Sequence, residues 1–582
     1  MKSVLKVFAS VFVVFLFFSI LSVIAFAATS LDYFYEGNSL LNSGKFQEAI
    51  EKYDKAIEIN PEIPEFYYNK AIGLYNLGKY EEAVANYDRV IKLNRNFKDA
   101  YVNKAICLID MKKQEEAHTA IEEYIKKYPN DSEGYVLKGY NLYMMERYEE
   151  AIEMSDKVIK LKTNNKGLLS MAYSTKSSAL IELGRVEEAI EASKTALELD
   201  NTNLNAYISM SYALSIQRNY DEAIDMCNKA LEIMPNCIEA YINKSVFLVR
   251  AKKYEEAIEC CNKALELDIS KEPNNESSIY TNKSAALFKL KKYNDALIAA
   301  EKAIELNPQS PLAYVNKGNV LEKEGKYKES IEAFDKAIEF DSNCGEAYVS
   351  KSSALHKLER YDEVIQVCKK AINIASKDPD YYAQVHLNWG SAHLGKSEYS
   401  EAVKSFEKAL EYNPSDNEIL ALIYANYANA MGGISDYENA LVFSEKSLDL
   451  DSECYEGYVN KSIALMELSR LDEALECCDV VINKKIDDYK IHGIKGLVFE
   501  KKGMFDEALL ALDKSLELKP DNEEVKSDRA RVYRKIIIEK IKIAVRVFLI
   551  LSILAIIITI LIVKKRKKPN QQEDLFKGAF VK

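Results

Sequence analysis

The stretch PEFYYNKAIGLYNLGKYEEAVANYDRVIKLN, Pro64 to Asn94, decides the fold. Its first half sets Tyr67, Ala71 and Tyr75 four residues apart, which is one face of an α-helix. Gly78-Lys79 interrupts the pattern, and glycine tolerates the left-handed conformation in which helices commonly end. The second half, YEEAVANYDRVIKL, places Ala83, Val84, Tyr87, Val90 and Ile91 on one side of a second helix. These 31 residues thus read as a helical hairpin that cannot bury its apolar faces alone.

Outward from this hairpin the same pattern returns. A Tyr-x-x-Ala-(Ile/Val/Leu) element has its Ala position at Ala49, Ala83, Ala117, Ala151, Ala189, Ala223, Ala257, Ala296, Ser330, Val364, Ala402, Ala440, Ala474 and Ala508. Nine of the thirteen spacings are 34 residues and the others are 38 or 39, so fourteen copies are expected, four of them with short insertions. Six copies end in proline, at Pro61, Pro129, Pro235, Pro308, Pro414 and Pro520, which discourages the second helix from continuing. Composition agrees with this reading. Only 20 Gly and 11 Pro in 582 residues leave few turns, and an apolar fraction of 48% supplies a core and excludes wholesale disorder.

Charge is unevenly spread. The formal net charge is −12, yet residues 523–582 carry 15 Lys and Arg against 6 Asp and Glu, and residues 1–28 add two lysines. The region between is strongly acidic, which disfavours nucleic acid as a partner and suits a basic one. Both ends are apolar. Lys2 and Lys6 precede an uncharged run from Val7 to Ile24, and Ala25-Phe26-Ala27 resembles a small-x-small cleavage site. A second run, Val547 to Val563, stops at Lys564-Lys565-Arg566-Lys567-Lys568. The expected order is a signal peptide or uncleaved anchor at 1–28, repeats over 30–522, a capping and juxtamembrane helix at 523–543, a transmembrane helix at 544–563 and a basic cytoplasmic tail at 564–582. This predicts a single-pass cell-membrane protein with its repeats outside the cytoplasm.

The repeated residues resemble the tetratricopeptide-repeat family. That pattern has an aromatic early in the first helix (helix A), as at Tyr33, Tyr67, Tyr101, Tyr135, Tyr207, Tyr314 and Tyr458, a small residue four later, and alanines at two places in the second helix (helix B), as at Ala49 and Ala56. His386 and His492 stand where the early aromatic is expected, and Val364 where the first alanine is. The resemblance spans about residues 30–522 and implies an all-α superhelical solenoid with a concave groove, in which each repeat touches its neighbours. It also implies a protein or peptide partner. Two residues after the early aromatic, helix A carries Asn69, Asn103, Asn243, Asn282, Asn316, Asn388, Asn426 and Asn460, usually followed by Lys, as at Lys70, Lys104 and Lys317. In related superhelices this face lines the groove, and an amide that both donates and accepts suits an extended peptide backbone. The same Asn would otherwise satisfy neighbouring helices. A clamp for a chaperone tail would need Lys one residue earlier, where Tyr68, Val102, Ile242, Val315 and Val459 stand instead.

No other constellation carries chemistry. Ten cysteines in an exported domain would ordinarily suggest disulfides. Here Cys227, Cys261, Cys368 and Cys478 recur at one helix-B position where other copies have Tyr53, Tyr87 or Phe406, so buried thiols are expected. His118, His356, His386, His393 and His492 make no ligand spacing, no CxxC pair exists, and no nucleophile-elbow, Walker or dinucleotide fingerprint occurs. The expectation is a scaffold with no catalytic residue, metal or cofactor. A receptor for a cell-envelope ligand such as a glycan, and an accessory subunit of an envelope enzyme complex, are the alternatives.

Overall fold

The computed structural model describes residues 29–267, 273–376, 378–484 and 488–537. Every regular element among them is an α-helix. Helix 29–42 is followed by Phe46–Ile59, then Pro64–Asn76 and Tyr80–Leu93, and the A–B alternation continues to Tyr489–Lys501 and Phe505–Leu518. One further helix, Glu523–Ile537, packs on the last pair. The described residues up to Phe247 form one compact unit and those from Leu248 another.

The turn between A and B is built the same way throughout. In the pair at Pro64–Leu93, the Gly78 N–H donates to the Tyr75 carbonyl at 2.9 Å and the Lys79 N–H to that of Leu74 at 2.9 Å. This closes helix A with a left-handed residue at φ 73°. Other turns put Lys112, Glu146, Arg218, Glu359 or Ser469 in the same left-handed place, at φ 57° to 62°. Geometry imposed by packing therefore overrides the residue preference that makes Gly78 legible. Helix B ends on a side chain. Asn94, Asp200, Asn307, Asp341 and Asp451 each accept, through Oδ1, from the N–H two residues on, at 2.9 to 3.1 Å. These Asx turns stop helix B whether or not proline follows.

Packing within a pair is a match of volumes. A side chain four residues after the early aromatic of helix A meets one four residues after the first alanine of helix B. Where helix B has an aromatic, helix A has glycine or alanine: a Cβ on Gly37 would lie 2.6 Å from the Tyr53 ring, one on Gly318 2.5 Å from Phe334, and one on Gly390 2.5 Å from Phe406. At several pairs where helix B is small, helix A has serine, although Gly139 faces Ser155. Ser177 and Ser193 share a hydrogen bond at 2.7 Å, and Ser352 and Ser462 hydrogen-bond the thiols of Cys368 and Cys478. This explains cysteine at an aromatic position. All ten cysteines are buried, and Cys107, Cys237, Cys368, Cys454, Cys477 and Cys478 carry no disulfide. Burial pushes the Cys107, Cys368 and Cys478 thiols up to about 12, which makes them poor nucleophiles and ligands.

The expected membrane placement is corrected. No helix among the described residues is long and apolar enough to cross a membrane. The longest, such as Asn417–Gly433, have 17 residues, and at about 1.5 Å per residue they fall short of a hydrocarbon core of about 30 Å. The runs at 1–28 and 544–563 and the tail at 564–582, on which that expectation rested, lie outside the described residues, as does the end of the expected capping helix beyond Ile537.

Candidate functional site

The structure gives the asparagine column a different position from the one expected of a groove ladder. Asn243, Asn282, Asn316, Asn426 and Asn460 are buried. Asn316 Nδ2 donates to the Thr281 carbonyl at 2.8 Å and Asn460 Nδ2 to that of Ala425 at 2.7 Å, each in the preceding helix A. Asn388 reaches the Val349 carbonyl at 3.3 Å and Ser352 Oγ at 2.7 Å. Asn69 donates to Asn38 at 2.7 Å and Asn103 to the Tyr68 hydroxyl at 3.1 Å. Asn426 turns back onto the Leu422 carbonyl of its own helix at 2.8 Å. Five of these amides, Asn69, Asn103, Asn316, Asn388 and Asn460, join one repeat to the next, because their helix face points at the neighbouring A helix. Asn243 Nδ2 alone of the column is buried with no partner among the described residues.

The following lysines do related work. Lys70 pairs with Asp54 at 2.6 Å, Lys104 with Asp88 at 2.7 Å, Lys317 with Glu301 at 2.9 Å, Lys461 with Glu445 at 3.0 Å and Lys495 with Asp479 at 2.5 Å. Each tie runs from helix A to helix B of the preceding repeat. Acidic residues of helix B are thus the anionic half of these ties.

The inner face is formed instead by residues nearer the end of helix A. In the first unit, the Tyr75 hydroxyl donates to Asp110 Oδ2 at 2.7 Å, joining the last turns of two successive A helices. Tyr140 and Tyr143 lie on the last two turns of helix Ser132–Met144. Burial holds both hydroxyls above the usual phenol range, and Glu239, from the first turn of helix Ile238–Arg250, pushes in the same direction. That helix lies three repeats on, so the unit curves enough to bring its A helices face to face. Desolvation there pushes the Glu239 carboxyl up to about 7. The result is an aromatic and acidic surface, in which a proton or a cationic group could satisfy Glu239. Apart from Tyr75, read only as part of a helical face, none of these residues was singled out in the sequence. The available signal was the column itself, since Tyr75 and Tyr143 occupy the same place in their repeats.

A second concavity, about 520 Å³, opens beside the insertion after helix Tyr148–Lys160 and is lined by Lys127, Tyr128, Asp131, Leu161, Thr163 and Leu168. Lys98 bridges Asp131 at 2.8 Å and Glu133 at 2.9 Å and, with backbone and Tyr124 hydrogen bonds, holds the Asp131 carboxyl below its usual range despite desolvation. This region is a braced edge. Of the histidines, His386 stacks parallel on Trp389 at 5.7 Å, and His393 lies between Trp389 Nε1 at 3.0 Å and Glu398 at 2.6 Å. The described residues contain no group of three or more His, Cys, Asp or Glu suited to a metal ion.

Known proteins share this architecture. No curated protein matches the chain. Among solved structures, a chain of the APC/C hetero-tetramer Cut9–Hcn1 aligns with a TM-score of 0.50 at 14% identity, covering 85% of this chain and 95% of that one. Yeast Tom70 aligns with a TM-score of 0.36 at 19% identity, covering 78% of this chain and 98% of that one. The likeness to Cut9–Hcn1 is one of fold. Family models described as "Tetratricopeptide repeat" match residues 64–97, 99–131, 172–203, 204–237, 236–309, 311–344, 345–378, 383–416 and 489–522, and one described as "TPR repeat" matches 37–72. With these matches covering more than half of its length and helix pairs repeating across the described residues, the chain belongs to the tetratricopeptide-repeat family.

Proposed function

We propose that this protein is an interaction scaffold of fourteen tetratricopeptide repeats over 30–522, capped by the helix from Glu523, and that it holds partner proteins or peptides on the inner faces of its A helices. Catalysis is not part of this reading. The observation that carries it is the inner face of the first unit, where Tyr75, Asp110, Tyr140, Tyr143 and Glu239 gather from four repeats. Aromatic rings with a polar tip supply large contact area at low entropic cost, and a desolvated carboxyl suits a basic side chain. The acidic charge of the repeats favours the same kind of partner. In Cut9–Hcn1 the aligned fold stands in a hetero-tetramer, which fits a scaffold without identifying a partner for this chain.

The test is photo-crosslinking from the inner face. A benzophenone side chain at Tyr140 should yield protein or peptide adducts, and one at the exposed Ile298 of helix Tyr293–Leu306 should not. Adducts with glycan in place of protein would overturn the reading.

A further inference from the structure

The last residue of helix A follows a pattern along the chain that packing does not explain. From the pair at Pro64 onward it is Asn76, Asp110, Met144, Glu182 and Ile216, then Arg250, Lys289, Lys323 and Lys357, then Gly395, Gly433, Glu467 and Lys501. Four successive repeats therefore end helix A in a cation, where the five before them have neutral or acidic residues. A cation at a helix C-terminus gains from the macrodipole, about 0.3–1 kcal/mol when exposed. That gain is open to every A helix and does not account for a run confined to four. Nor are these exposed helix ends. Arg250 is buried, and Lys289, Lys323 and Lys357 are of intermediate exposure.

All four lie in the unit that starts at Leu248, and the curvature of that unit turns Lys289 and Lys323 inward. Lys252, in the turn after Arg250, stands 3.8 Å from Glu418, five repeats further on in the first turn of helix Asn417–Gly433. Lys289 feels Glu346 and Glu418, which belong to helices two and four repeats beyond its own, together with Lys323 and Lys252. Only the concave side brings such distant repeats together. Desolvation in this cleft brings the Lys289 ammonium down to about 7, against the pull of both glutamates. Three cations, Lys252, Lys289 and Lys323, thus gather around two carboxylates, Glu346 and Glu418.

We infer that this cation column is the docking site for an extended acidic peptide segment, whose carboxylates bridge Lys289 and Lys323, while Glu346 and Glu418 are the built-in counter-ions that such a segment displaces. The inference deepens the scaffold reading and rests on it. Charge complementarity selects the occupant: an inward cationic column in an otherwise acidic repeat region attracts the one class of peptide that the rest of the inner surface repels. The 34-residue recurrence sets Lys289, Lys323 and Lys357 at one level of successive repeats, which suits a chain running along the groove. Lysine ammoniums that have lost water gain more from an arriving carboxylate than solvated ones do.

A fluorescent oligoglutamate titrated into the full chain, followed by anisotropy, tests this. Binding should appear at low ionic strength and weaken as salt rises. Lys289→Gln with Lys323→Gln should weaken it about tenfold or more, from two lost charge-assisted contacts. Lys323→Gln alone, with helicity checked, should weaken it measurably, so the outcome does not hinge on the double variant folding. Glu418→Gln should strengthen it by removing the competing carboxylate. Lys369→Gln, on the exposed side of helix Tyr361–Ala371, should leave it unchanged. Absence of binding, or binding indifferent to Lys289 and Lys323, would overturn the inference. So would equal binding of an oligothymidylate through the same lysines, which would mark a general polyanion site. If oligoglutamate fails while the Tyr140 crosslinker still captures protein, the acidic-peptide site alone is refuted. If neither probe finds a ligand, the scaffold reading falls with it.

Discussion

At the scale of single residues, several repeats share a matched pair across the A–B interface. Gly318 faces Phe334, and Ser352 faces Cys368 one repeat later, so the two pairs fill similar space with opposite division of volume. Gly318→Ser should therefore cost about 1–3 kcal/mol through overpacking. The double change Gly318→Ser with Phe334→Cys copies the neighbouring pair and should recover most of that loss. Hydrogen exchange of helices Pro311–Lys323 and Tyr327–Phe340 measures both, and a double variant as unstable as the two single ones combined would refute the matching. The thiols give a second check. Because burial raises Cys368 and Cys478 to about 12, native protein at pH 8 should resist alkylation there, with modification following once the repeats are unfolded. Rapid labelling in the native state would show that these sites open readily. Sequence periodicity made the burial legible, but not its reason, since the serine opposite each thiol lies 16 residues away in a different column.

At the scale of helices, the asparagine column ties neighbouring A helices together. Asn316→Ala and Asn460→Ala each remove a donor to a carbonyl of the preceding helix, and should cost about 1 kcal/mol apiece. The loss should appear as weaker hydrogen-exchange protection at that junction, with partner binding changed only as far as the junction loosens. Unchanged protection would return these amides to the groove as candidates. The final helix offers a pH test. Asp528 is buried with Oδ1 2.9 Å from Arg531, whose guanidinium also grips Glu500 at 2.9 Å, and Lys535 approaches Glu500 at 2.8 Å. Asp528 Oδ2 is buried without a hydrogen-bond partner among the described residues. Desolvation, reinforced by Glu500 and Glu524 and opposed by Arg531, pushes Asp528 up to about 7. The folded state thus binds a proton that the unfolded chain releases at lower pH, so docking of this helix should weaken as pH rises from about 4 to about 7. Asp528→Asn should remove that slope and strengthen the docking at pH 8, while changing little at pH 4. A pH profile identical to that of the unaltered protein would show that the proton is not held at Asp528.

At the scale of the molecule, stability is the sum of pair and junction terms, so a lesion should be felt locally. Deleting the chain from Glu523 onward uncovers Leu512 and the apolar residues around it, which Val525 and Val532 otherwise cover. Hydrogen-exchange protection of helices Tyr489–Lys501 and Phe505–Leu518 should fall, while helices before Phe247 keep theirs. A global loss would mean that the array melts as one body. The sequence by itself determined the hairpin, its period and the burial of the cysteines, because helical amphipathicity and repeat spacing are local and recur with every copy. The tertiary structure decided which helix-A residues face inward and which face the next repeat. Asn316 and Lys323 lie only two turns apart on one helix, yet one ties that helix to its neighbour and the other joins Lys289 in the charged column. The meeting of Lys252 with Glu418 depends on small rotations accumulated over five repeats. Such curvature is a property of the stack, set by how each pair seats on the one before it, and no single repeat encodes where it leads.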